Sequence, residues 1–63
     1  MTTTHVEFAG MLFPIHLRET PSGAYLGHWF TSRGVLRGRC KCDTKAEVLA
    51  RIEADIAYQY RNH

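Results

Sequence analysis

The sequence predicts an α+β fold in which a three-stranded antiparallel sheet is followed by one C-terminal helix, β-β-β-α. Three observations carry that expectation. Side chains alternate with period two at 13–18 and 35–42, and an aromatic-rich stretch, 24–32, lies between them. Two turn signals, "TPSG" at 20–23 and "SRG" at 32–34, separate the stretches. The period then changes to that of a helix at a Thr-x-x-Glu start, Thr44 with Glu47.

Element by element, "MTTTHVE" is polar, and residues 1–5 are expected to fray. His5 to Ala9 has the makings of a short extra strand, with Gly10 as a break or a bulge. In the first of the three main strands Phe13, Ile15 and Leu17 face one way, and Pro14, His16 and Arg18 the other. Pro14 cannot donate a ladder hydrogen bond, which suits an edge or the start of a strand. In "TPSG" Pro21 presets φ and Gly23 accepts left-handed geometry. "AYLGHWFTS" is the second strand, aromatic-rich, with Leu26, His28 and Phe30 on one face and Tyr25, Gly27, Trp29 and Thr31 on the other. "VLRGRCKC" is the third. There Leu36, Gly38, Cys40 and Cys42 alternate with Val35, Arg37, Arg39 and Lys41.

The helix is expected from Lys45 to about Tyr60, capped by Asp43 or Thr44. Val48, Leu49, Ile52, Ile56 and Tyr60 keep helical spacing, and Glu47, Arg51 and Asp55 stand at successive i, i+4 positions with opposite charges. The expected core face joins Phe13, Ile15, Leu17, Leu26, Phe30, Leu36, Cys40 and Cys42 under this helix. That leaves His16, Arg18, Tyr25, Trp29, Arg37, Arg39 and Lys41 on the opposite face.

Size and charge narrow the functional classes. Sixty-three residues make one domain, 1–63, and a chain this short buries only about 60% of its unfolded surface. A homodimer is one way to enlarge so small a core. No apolar run approaches the roughly 18 residues that cross a membrane, and "MLFPI" at 11–15 is too short for a signal-peptide core. The expectation is a cytoplasmic protein with no membrane partner. Of the net charge of +2, residues 1–42 carry +3, with Arg18, Arg33, Arg37, Arg39 and Lys41 against Glu7 and Glu19. Such asymmetry suits an anionic partner.

The two cysteines invite a metal or redox reading. At i and i+2 of a strand they stand about 6.6 Å apart, at the edge of disulfide geometry. Structural zinc uses cysteines spaced two to four residues apart on a turn, which C-x-C in a strand does not provide. Cys40 and Cys42 are better read as small apolar side chains facing inward. Catalysis finds little support. His5 and His63 lie near the ends, and the alternation puts His16 and His28 on opposite faces. No paired carboxylates, phosphate loop or nucleophile elbow occurs. The expectation is a non-enzymatic module without metal or cofactor.

The outward list points to nucleic acid, DNA rather than RNA. Arg18, Arg37, Arg39 and Lys41 would meet phosphates or base edges, and Tyr25 and Trp29 would stack or wedge. The same residue types are enriched at protein interfaces, so a small protein partner is the competing expectation.

"MLFPIHLRETPSGAYLGHWF" and, after a gap, "CDTKAEVLARIEADI" resemble the N-terminal domain of HicB-type antitoxins over residues 11 to 57. Phe13-Pro14, Gly23-Ala24-Tyr25 and Asp43-Thr44 stand where that family has its apolar-aromatic-Pro strand, its Gly-Tyr turn end and its Gly-Asp-Thr helix start. The family's Pro-Gly-Cys motif after the second strand is absent, and "SRGVLRGRCKC" is longer than the equivalent stretch. The resemblance implies a small toxin protein as partner. The order of elements is also similar to the sheet-plus-helix DNA-binding domains of tyrosine recombinases and plant ethylene-response factors. Those place basic and aromatic side chains of the sheet in the major groove, a use that Arg37, Arg39, Lys41 and Trp29 would match.

Overall fold

The structure is a computed structural model and describes residues 2–61. It is an antiparallel sheet followed by one helix, and the sheet has four strands rather than three: β1 (Thr2–Phe8), β2 (Met11–Glu19), β3 (Tyr25–Phe30) and β4 (Leu36–Cys42), then α1 (Lys45–Arg61). The strands follow one another across the sheet in the order β1-β2-β3-β4, so every connection is a hairpin. The extra strand takes in Thr2 to His5, the segment expected to fray; Met1 lies outside the described residues. β-branched threonines suit a strand, and the ladder from Thr2↔Leu17 to Phe8↔Met11 supplies their backbone with partners.

Each hairpin is explained by its turn. Between β1 and β2 stand only Ala9 and Gly10, with φ of 53° and 77°. Two positive φ values in a two-residue loop match the right-handed twist of the strands, and the turn favours Asn-Gly or Asp-Gly. Ala9 therefore sits in a conformation that an L-residue with a Cβ disfavours by about 1–2 kcal/mol. Ala9→Asn is expected to raise stability by about 1 kcal/mol, a shift of roughly 4–8 °C in Tm for a domain of this size, read by thermal circular dichroism.

The other two hairpins repeat one design. Thr20 N–H donates to Ala24 O at 2.8 Å, Gly23 N–H to Thr20 O at 3.0 Å, and Ala24 N–H to the Thr20 hydroxyl at 3.2 Å. Eleven residues on, Thr31, Gly34 and Val35 make the same three bonds at 2.8, 2.8 and 3.2 Å. Gly23 and Gly34 hold φ of 88° and 85°, which is why Thr-x-x-Gly recurs.

The helix begins at the expected Thr44–Glu47 cap, with the Glu47 carboxylate meeting the Thr44 hydroxyl in place of its backbone N–H. Glu47 N–H donates to the Thr44 hydroxyl at 3.2 Å, and that hydroxyl donates to Glu47 Oε1 at 3.1 Å. The α1 residues Val48, Ile52 and Ile56 bury the helix against one sheet face, where they meet Phe13, Ile15, Leu17 and Trp29; all seven are 4% exposed or less.

Three of the expected core positions are elsewhere. Leu26 and Phe30 lie on the face away from the helix, and Leu36 is 53% exposed. The face of β3 turned toward α1 is Tyr25, Gly27 and Trp29, the reverse of the expected phase. Space decides this. A Cβ built on Gly27 would collide with Val48 Cγ1 and come within 3.1 Å of Ile52 Cδ1, so the helix approaches across the bare backbone. Trp29 then fills the region beside it, edge-on to Phe13 at 5.8 Å, with Tyr60 5.0 Å from Phe13. Cys40 and Cys42 pack against this core half-buried, as expected, with Val6, Phe8, Tyr25, Leu49 and Tyr60 around its margin.

Candidate nucleic-acid interface

The strand registers lay out the face opposite the helix as rows. Arg18, Leu26 and Lys41 stand side by side on β2, β3 and β4; so do His16, His28 and Arg39. The next row brings Phe30 beside Leu36, with Pro14 and Leu12 continuing the face along β2. Arg18, Arg39 and Lys41 are exposed, and His16, His28 and Phe30 are half-buried. The His16 ring lies 4.8 Å from the Phe30 ring, tilted by 50°. His16, Arg18, His28 and Phe30, with Leu17, line an open hollow of about 240 Å³. The result is a ring cluster with cations on two sides, on a sheet face that no described element covers.

Of the six residues expected here, three are in place: Arg18, Arg39 and Lys41. The other three are not, and each has a physical reason. Trp29 is 0% exposed and its indole N–H donates to Asp55 Oδ2 on α1 at 2.8 Å. Tyr25 shares its side of the sheet, half-buried, with Lys45 Nζ 5.7 Å from the ring centroid. Arg37 is deflected by an irregularity opposite Trp29 and Phe30, whose partners skip from Gly38 to Leu36. One unpaired residue there is a β-bulge, which re-aims its side chain. The Arg37 guanidinium donates to Gln59 Oε1 on the helix at 3.4 Å, and Gln59 Nε2 donates to Asp55 Oδ1 at 3.1 Å.

The same change of phase brings in residues the expectation missed. His28 and Phe30 arrive on the open face, and His16 and His28, expected on opposite faces, are direct cross-strand partners. The glycines were the available signal. Gly27 and Gly38 are the strand positions where a second layer comes close, so the face they occupy is the helix face.

The cysteines are separated from this site by the sheet itself. The Cys40 thiol donates to Val48 O at 3.6 Å. Burial, and then the neighbouring Cys42, push it above the usual thiol range, which is the opposite of what a reactive thiolate needs. Among the described residues no group of three or more His, Cys, Asp and Glu side chains is placed to hold a metal ion. No described helix is long and apolar enough to cross a membrane.

No protein-family model, curated protein or solved structure matches this chain.

Proposed function

We propose that the protein is a non-enzymatic module that binds nucleic acid through the open face of its sheet, DNA in preference to RNA. The observation that supports this most is the joint emergence of Arg18, Arg39 and Lys41 around the Phe30, His16 and His28 rings on one uncovered face. The cations supply phosphate contact, which works at any sequence and releases counterions. The rings supply stacking surface, which every base can use. That combination favours a single strand, whose bases are free to stack. An extended backbone running across β2 to β4 would pass Arg18 and Lys41 in one row and Arg39 in the next.

The test is a salt series of fluorescence anisotropy with a labelled oligothymidine, a duplex of equal length and an RNA of equal length. Three phosphate contacts predict that log affinity falls with log salt at a slope near 2 on the single strand. Combining Arg39→Ala with Lys41→Ala is expected to lower that slope by about 1.4. Phe30→Ala is expected to weaken binding roughly 5- to 150-fold with the slope nearly unchanged, because stacking releases no counterions. Absence of binding at low salt, or binding indifferent to these substitutions, overturns the proposal. Leu12 and Leu36, 52% and 53% exposed on this face, suit the toxin-like protein partner that the HicB resemblance implies. Failure with nucleic acid and salt-insensitive capture of such a partner would be the result that selects it.

A further inference from the structure

The sheet has two edges, and they are built differently. β4 carries Arg37, Arg39 and Lys41 and a bulge, the features that keep an edge strand from recruiting another. β1 has no bulge and no basic residue, and Glu7 is its one charged side chain. Its seven residues, TTTHVEF, contain no proline, no lysine and no arginine, and its backbone is paired only with β2. Val6 and Phe8, on the helix side, pack against the core margin and are still only half-buried.

We propose that β1 pairs antiparallel with β1 of a second copy, joining two sheets into one of eight strands about a two-fold axis at Val6. Three constraints select that register. Opposed residues in an antiparallel pair point to the same face, so the axis must pass through a residue and not between two. Centred on Val6, the inner side sets Val6 against Val6 of the other copy and Thr4 against Phe8, covering the half-buried apolar margin. The outer side sets His5 against Glu7 twice, an imidazole donor or imidazolium facing a carboxylate in each pair. Centred one residue earlier, His5 would face His5 and Glu7 would face a threonine, with no complementary pair. Both His5 and Glu7 are exposed, so neither is committed to the core of its own copy.

The two-fold axis stands perpendicular to the sheet, which keeps the faces in register. Both helices then lie on one side, and both His16–Phe30 clusters lie on the other. The proposal does not depend on nucleic-acid binding; where both hold, the dimer presents two copies of the basic face side by side.

Sedimentation equilibrium of the full chain without nucleic acid tests it. The expected mass is twice 7.2 kDa, falling toward 7.2 kDa on dilution. His5→Glu turns two attractive pairs into two repulsive ones and is expected to weaken dimerisation at least about tenfold, with the helical circular dichroism unchanged. Adding Glu7→His to that variant exchanges the two residues and restores the dimer. Phe30→Ala, on the open face, leaves the mass unchanged. A chain that sediments at 7.2 kDa at every concentration overturns the proposal. So does a dimer that ignores His5→Glu, or one that the exchange does not restore.

Discussion

Replacing Trp29 with alanine is expected to cost about 3–5 kcal/mol, most of the stability that a chain of this length has. The side chain is 0% exposed and is the largest member of the core. It contacts β2 through Phe13 and the helix end through Tyr60, with ring centroids at 5.8 and 6.5 Å. Removing it opens a cavity where sheet and helix meet. Trp29→Phe separates packing from hydrogen bonding. It keeps a ring between Phe13 and Tyr60 and loses the indole N–H, so it is expected to cost about 1–2 kcal/mol through the unpartnered Asp55 oxygen. Chemical denaturation followed by far-ultraviolet circular dichroism reads both. A Trp29→Ala midpoint close to that of the parent would mean that Trp29 is outside the core, and the assignment of faces would fall with it.

Trp29 also marks the boundary of what could be read from the chain. The inner face of β2, Phe13, Ile15 and Leu17, followed directly from alternation, because its other face holds proline, histidine and arginine. The helix stripe Val48, Ile52 and Ile56 and the Thr44–Glu47 cap followed from spacing. In β3 both alternating sets are apolar or aromatic: Leu26, His28 and Phe30 against Tyr25, Gly27 and Trp29. Period two fixes the sets and leaves their direction open. The clean basic alternation of β4 does not fix the direction of β3; placing Leu26 and Phe30 under the helix is the wrong choice, and the aromatic half of the expected interface goes with it. Arg39 and Lys41 survived because β4 alternates cleanly from Gly38 to Cys42. Arg37 did not, since a bulge breaks the count and leaves no mark in composition. Of β1, the half from His5 onward is legible as a short strand; Thr2 to Thr4 escape because threonines read as polar lead-in, although Thr-rich alternation running into Ala9-Gly10 is what a hairpin arm requires.

Gly27→Val is expected to destabilise by about 3 kcal/mol or more, despite adding a residue that strands ordinarily favour. The conflict is between two general effects of opposite sign. Replacing a strand glycine reduces the freedom of the unfolded chain and should gain about 0.5–1 kcal/mol. Against that, even the Cβ at this position would overlap Val48 Cγ1 and crowd Ile52 Cδ1 at 3.1 Å, before any branch is added. Val48 and Ile52 are buried on the helix, so the collision is relieved by forcing their side chains off their rotamers or by lifting α1 off the sheet, and either disrupts the core. The steric term wins. A pair of variants shows that contact with Val48 is the cause. Gly27→Ala and Val48→Ala each destabilise alone, the first by overpacking and the second by leaving a void. Together they place the new methyl in the space that the valine methyls vacate. The double variant is therefore expected to be more stable than the sum of the two costs predicts, by about 1 kcal/mol or more. Strict additivity would show that the helix does not rest on Gly27. The phase of β3 would then need another cause, and so would the assignment of His28 and Phe30 to the open face.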